Sequence, residues 1–168
     1  MEILAESRRR LNYAKKILRE GEVLEVLEKY GEVLVVGSLA MELYWRRDID
    51  IVVETRNLRC GSIGALNEFI EGRRFSKYQY GDFMDYPREG RPKGYIVNLF
   101  HRGTDGELWE FEIWFLEDIS HYEKQLKEWR SALNEGVRGR IIEMKANGGL
   151  KQESSKIYDE ILKKGRKR

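Results

Sequence analysis

Apolar and polar positions change period several times along this chain, and each change predicts an element. In residues 2–20, Ile3, Leu4, Leu11, Ala14, Ile17 and Leu18 recur at helical spacing, which predicts an amphipathic helix. Gly21 interrupts it. Residues 22–30 predict a second short helix with Val23, Val26, Leu27 and Tyr30 apolar and Gly31 as its cap. The apolar run Val33 to Val36 is long enough for a buried strand, and Gly37-Ser38 breaks it. A short amphipathic stretch follows, with Leu39, Leu43 and Ala40 facing inward. Residues 49–53 form a second apolar strand in which Ile49, Ile51 and Val53 point into a core. Side chains alternate across a strand, so Asp48 and Asp50 share its opposite face.

Residues 54–59 read as a polar loop. Cys60-Gly61-Ser62-Ile63-Gly64 has no apolar strand before it, so it predicts a helix start rather than a phosphate loop. Ser62 is the expected N-cap of a helix to Glu71 that buries Ile63, Leu66, Phe69 and Ile70. Aromatic and polar residues alternate up to Tyr80, as in a strand, and residues 81–93 form a long loop with Pro87 and Pro92. A loop of that length in a small domain is often a binding loop, and its aromatic and basic residues suit a nucleotide or an acceptor. An aromatic edge strand with a surface loop is the plainer alternative. Residues 94–102 and 107–116 predict a hairpin turning at Thr104-Asp105-Gly106. In its second strand Trp109, Phe111, Ile113 and Phe115 fall on one face, and Leu108, Glu110, Glu112 and Trp114 on the other. Three helices complete the chain. Residues 120–134 carry Ser120 as cap, Glu123 at the capping-box position and the stripe Tyr122, Leu126, Trp129 and Leu133. Residues 137–146 follow, then a turn at 147–149 and a last helix over 152–164 with Ile157, Ile161 and Leu162.

Composition narrows the function classes. With 168 residues the chain suffices for one domain with a core. Charged residues make up 36%, yet the net charge is only +2, so there is no strong electrostatic case for nucleic acid. Arg8-Arg9-Arg10 and the basic stretch 163–168 read as a solvated helix face and a tail. A single cysteine, Cys60, excludes an internal disulfide and suits a reducing cytosol. No Cys/His pattern suggests zinc, and His101 and His121 have no ligand neighbour at helical spacing. The first residues lack an apolar segment and no run approaches the length of a membrane span, so the expectation is a cytoplasmic protein without a membrane partner.

The chemistry concentrates at residues 33–53. Two carboxylates side by side repel, and the cost grows as water is excluded, so something positive should offset it. Arginine could do so, and Arg46 and Arg47 lie beside Asp48. A divalent metal does so better. The Gly37-Ser38 turn on the neighbouring strand can hold an anion such as phosphate. A metal-binding carboxylate pair facing a phosphate-binding turn is the equipment for phosphoryl or nucleotidyl transfer.

Gly-Ser, nine residues and then Asp-x-Asp on an apolar strand resembles the signature of the nucleotidyltransferase superfamily with the DNA polymerase β-type catalytic core. The match is close over residues 33–53 and looser to about Glu117. The resemblance implies an α/β (α+β) fold: a mixed, mostly antiparallel sheet with carboxylates on one face and helices on the other. A C-terminal helical segment completes the cleft. It divides the chain into N-terminal helices (1–31), a nucleotidyltransferase core (32–117) and a C-terminal helical segment (118–168) packed with the core as one domain. A later strand of the family brings a third acid to the pair. Glu112 fits that place, with Glu110 its competitor two residues away on the same face.

The implied cofactor is Mg2+, as two ions, with Mn2+ as alternative. Asp48, Asp50 and Glu112 would be catalytic and metal-binding, and Gly37, Ser38, Arg46 and Arg47 would meet the triphosphate. One of the two arginines could instead serve only as a salt-bridge partner of Asp48. The donor would be a nucleoside triphosphate. The low net charge favours a small-molecule or protein acceptor over RNA. A degenerate member that binds nucleotide or a partner without turnover is the alternative. The C-terminal helices would either close the cleft in cis or supply a homodimer surface.

Overall fold

A computed structural model of the chain describes residues 2–104 and 106–148, together with Tyr158 and Ile161. Helix α1 (Glu2–Glu20) and short helix α2 (Val23–Leu27) lead into strand β1 (Glu32–Val35). The one-turn helix α3 (Gly37–Ala40) separates β1 from β2 (Asp48–Glu54). Helix α4 (Leu58–Gly72) precedes β3 (Lys77–Asp82), β4 (Tyr95–Arg102) and β5 (Leu108–Leu116). Helices α5 (Ser120–Ala132) and α6 (Glu135–Ala146) follow. The strands form one mixed sheet in the order β1-β2-β5-β4-β3. Only β2 and β5 run parallel; the other neighbours are antiparallel. The architecture is a mixed α+β sheet flanked by helices, as the resemblance implies.

Alternation along the strands sorts the sheet into two faces. Ile49, Ile51 and Val53 of β2 join Trp109, Phe111, Ile113 and Phe115 of β5 on one of them. Leu11, Ala14 and Ile17 of α1, Leu27 of α2, and Ala65 and Phe69 of α4 close over that face. The opposite face has a smaller apolar cluster at one end of the strands, where Val52, Ile96, Trp114 and Leu116 meet Leu126, Trp129, Ile141, Ile142 and Tyr158. Helices α5 and α6 therefore pack beside the carboxylates, on their side of the sheet.

Several local expectations change. Asn57, not Ser62, caps α4: its side chain accepts a hydrogen bond from the Cys60 N–H. The helix begins five residues earlier than expected, and its inner face is not the one expected. Ser62 is fully buried and donates to the Arg59 carbonyl, whereas Ile63 and Ile70 are exposed. Ser120 is the first residue of α5 rather than its cap, and its N–H donates to Asp118 Oδ1 at 2.8 Å. Strand β3 runs on to Asp82, through the first residues of the expected loop. Leu4 faces solvent. Arg10 departs from the solvated reading of its cluster, donating to the Trp45 carbonyl at 2.6 Å and lying over the Trp45 ring. The expected last helix lies outside the described residues apart from Tyr158 and Ile161. Among the described residues no helix is long and apolar enough to cross a membrane.

Candidate active site

The parallel pairing of β2 with β5 sets Asp48 opposite Glu110 and Asp50 opposite Glu112. Four acids thus share one patch of the sheet face. They gather there because each strand spends its odd positions on the closed apolar face, which leaves Asp48, Asp50, Glu110 and Glu112 for the other. The electrostatic cost is visible. Burial, then the charges of Asp48 and Glu112, push the Asp50 carboxyl up to about 8. Burial and the Glu112 and Asp48 charges raise Glu110, and burial raises Glu112 against the pull of Arg91. Asp48 Oδ1 is buried without a hydrogen-bond partner. An orphaned carboxylate oxygen among like charges is costly, and a cation there would offset that cost.

The Gly37-Ser38 turn borders this patch. Gly37 has φ +62°, and a Cβ there would stand 2.3 Å from Asp50 Oδ2. Glycine is required on both counts, since the carboxylate lies where a side chain would begin. Ser38 is buried at 5% exposure. Its hydroxyl is engaged by Lys145 of α6, whose ammonium donates to Ser38 Oγ at 2.6 Å and to the Leu43 carbonyl at 2.9 Å. Lys145 also donates to the Tyr158 hydroxyl, which lies 3.1 Å from Ser38 Oγ. Burial pushes Lys145 down to about 8, while Asp48 and Asp50 pull it back up. Tyr44 supports the same corner from the core, donating to the Asp48 carbonyl at 2.9 Å.

Among the residues singled out from the sequence, the structure places Asp48, Asp50, Glu110, Glu112, Gly37 and Ser38 together. The arginines are placed differently from one another. Arg46 is exposed, and its charge is felt at Lys145. Arg47 is not the salt-bridge partner of Asp48: its Nη1 lies 3.6 Å from Glu107, and its Nε is buried without a partner. The two candidate third acids have distinct surroundings. Asn98 donates to Glu110 Oε1 at 3.1 Å, and Arg91 lies 3.7 Å from Glu112. Trp114 shares their face, but at 7% exposure it packs on Phe83 within the smaller core.

Sequence reasoning missed Lys145, Asn98 and Arg91. For Lys145 a signal existed. It stands four residues after Ile141 and three after Ile142, so helical spacing puts it on their buried face. Asn98 and Arg91 carry no such periodic mark.

The donor set can be tested against a metal. The donors are hard oxygens, as Mg2+ requires, and Asp48 Oδ1 lacks a partner. Among the described residues no three His, Cys, Asp or Glu side chains form a ready cage. Mg2+ does not need one, because it is usually held by one or two carboxylates plus water and substrate phosphate. The Asp48–Asp50 pair fits that mode.

No family model and no curated protein matches the chain. Among solved structures it is similar to a cytoplasmic RNA terminal U-transferase, at 16% identity and a TM-score of 0.44. The similarity covers 80% of this chain and 35% of that one.

Proposed function

We propose that this face transfers a nucleoside monophosphate from a nucleoside triphosphate to a hydroxyl, releasing pyrophosphate. The observation that carries the reading is the β2–β5 register, which aligns Asp50 with Glu112 beside a glycine turn and a buried lysine. Asp48 and Asp50 would hold Mg2+, or Mn2+ in its place. When bound, the ion neutralises charge on the phosphates and on the attacking oxygen.

The chain's own residues do the rest. Lys145 fixes the Ser38 turn and supplies positive charge behind the acids, and Arg46 offers a solvent-facing cation on the same side for the leaving phosphates. The acceptor oxygen bonds to the α-phosphorus as the bond from α-phosphorus to the α–β bridging oxygen breaks. Pyrophosphate leaves with that electron pair, and the hydroxyl proton passes to the Glu112 carboxylate. Glu112 is favoured over Glu110 because it pairs with Asp50, whereas Glu110 already accepts from Asn98. A small-molecule or protein acceptor suits the low net charge better than RNA, and the single cysteine suits the cytoplasm.

Calorimetric titration of the four common triphosphates, with and without Mg2+, tests the donor site. Mg2+-dependent binding that disappears in Asp48→Asn and Asp50→Asn is expected. Absence of binding by every triphosphate to a folded protein would refute the reading. One observation favours a second reading, nucleotide binding without turnover: Ser38 is already engaged by Lys145 and Tyr158. Tight Mg2+-dependent binding with no pyrophosphate release for any acceptor would select it.

A further inference from the structure

One straight row crosses the sheet. Asp50 pairs with Glu112, Glu112 with Asn98, and Asn98 with Gln79. Strands lie about 4.8 Å apart, so the row extends about 14 Å from Asp50 to the edge strand β3. Its two ends differ. Beyond Asp50 stand the Gly37-Ser38 turn and Lys145, the positive end where leaving phosphates belong. Beyond Glu112 the row opens into a cleft of ≈ 490 Å³ between β3, β4 and the segment after β3. In-line displacement puts the entering and leaving oxygens on opposite sides of the phosphorus. With the leaving group at the Lys145 end, the attacking hydroxyl must arrive from the cleft end.

The walls state what kind of molecule would carry that hydroxyl. Gln79 presents a primary amide, and Asn98, whose Nδ2 donates to Glu110, offers Oδ1 as a buried acceptor without a partner. Phe83 is tilted 55° against Trp114, with ring centroids 5.1 Å apart, and the Arg88 guanidinium stands 5.7 Å over it. Tyr86 is 75% exposed at the rim, a large ring turned to solvent. The charged lining residues, Asp82 and Arg88, cancel. Amides select neutral groups that both donate and accept, aromatic rims select flat or ring-shaped faces, and a charge-balanced wall does not attract a polyanion.

We infer that this cleft is the acceptor subsite, and that it takes a neutral hydroxylated ring compound of sugar or nucleoside size. The inference rests on the nucleotidyl-transfer reading for the role of the cleft. The hydroxyl of the bound ring lies toward Glu112, Asn98 Oδ1 and Gln79 hold its other polar groups, and Tyr86 covers its face. These residues position the acceptor and take no part in bond making.

The test uses the full chain and ligand-observed saturation-transfer NMR. One arm is a set of free nucleosides, a second is a set of mono- and disaccharides, and a third is a short single-stranded RNA. Calorimetry with Mg2+ and triphosphate runs on the same samples. Tyr86→Ala and Gln79→Ala alter the rim and the edge strand and touch none of the acids. Binding of one ring class, weakened at least fivefold in both variants while triphosphate binding is unchanged, is the expected result, and the responding arm names the source. If triphosphate binds but no ring compound does, or binding ignores both variants, the subsite is wrong and the donor reading survives. Competition by RNA with steep salt dependence would assign the cleft to a polyanion and overturn the inference. If ring compounds bind and no triphosphate does, the donor reading falls and the acceptor role falls with it.

Discussion

Neighbouring residues of β2 live on opposite faces of one sheet. Ile49, Ile51 and Val53 are fully buried beneath α1, α2 and α4. Asp48 and Asp50, one position away, face like charges from β5. The cost of crowding carboxylates falls on one face, and the other face supplies the apolar burial that offsets it. The two faces should therefore respond to mutation in opposite ways.

The largest contrast is expected between Asp50→Asn and Ile51→Ala. The first replaces a carboxyl that burial and like charges already hold protonated up to about pH 8, so the folded state should be no less stable, while transfer falls by about 10²–10³-fold. The second leaves the acids in place and opens a cavity costing about 2–5 kcal/mol, read by denaturant unfolding. Similar effects of both on the unfolding midpoint would end the division of labour between faces. Gly37→Ala joins the two effects. Positive φ strains the new side chain, and its Cβ collides with Asp50 Oδ2, so both the midpoint and triphosphate binding should drop.

The acidic face should also imprint a pH profile on the metal-free protein. Asp50 ordinarily titrates near 3.8 and is held at about 8 in the fold. The folded state binds that proton more tightly, so stability is full below about pH 4 and is lost as pH rises to 8. Lys145 has the opposite sign. Its folded value of about 8 lies below the ordinary 10.5, so stability recovers between those values as both states lose the proton. Thermal unfolding should show a minimum near pH 8. Mg2+ should lift the minimum at pH 8 more than at pH 5, and Lys145→Met should flatten the alkaline limb. Lys145→Met also strands the Leu43 carbonyl and leaves Ser38 Oγ and the Tyr158 hydroxyl only each other, at a cost of about 1–3 kcal/mol.

The two faces were unequally legible in the sequence. Strand alternation marks the closed face directly, and Trp109, Phe111, Ile113 and Phe115 lie where period-two spacing puts them. The same alternation assigns Asp48, Asp50, Glu110 and Glu112 to a shared orientation. What it does not contain is the partner of each strand. The parallel β2–β5 pairing joins segments more than fifty residues apart, and only tertiary packing selects it. Arg47 illustrates the limit: beside Asp48 in sequence, it turns to Glu107 because β5 brings that residue alongside. The start of α4 was missed for a local reason. Asn57 caps the helix through the Cys60 N–H, and the two glycines that follow disguise its first turns.

The smallest effect should come from Arg91, which tunes one acid and supports no core. Its Nη1 lies 3.7 Å from Glu112, with the arginine side chain 52% exposed, so removing it should leave the unfolding midpoint unchanged within about 0.5 kcal/mol. Its charge nonetheless opposes the burial that raises Glu112. Arg91→Gln removes that opposition, and Glu112 then loses its proton only at higher pH. If Glu112 accepts the proton of the attacking hydroxyl, the acid limb of the transfer profile must move to higher pH. The same substitution in a Glu112→Gln background should then do nothing. A shifted limb that persists without Glu112 would transfer the role to Glu110, the neighbour that Asn98 now holds.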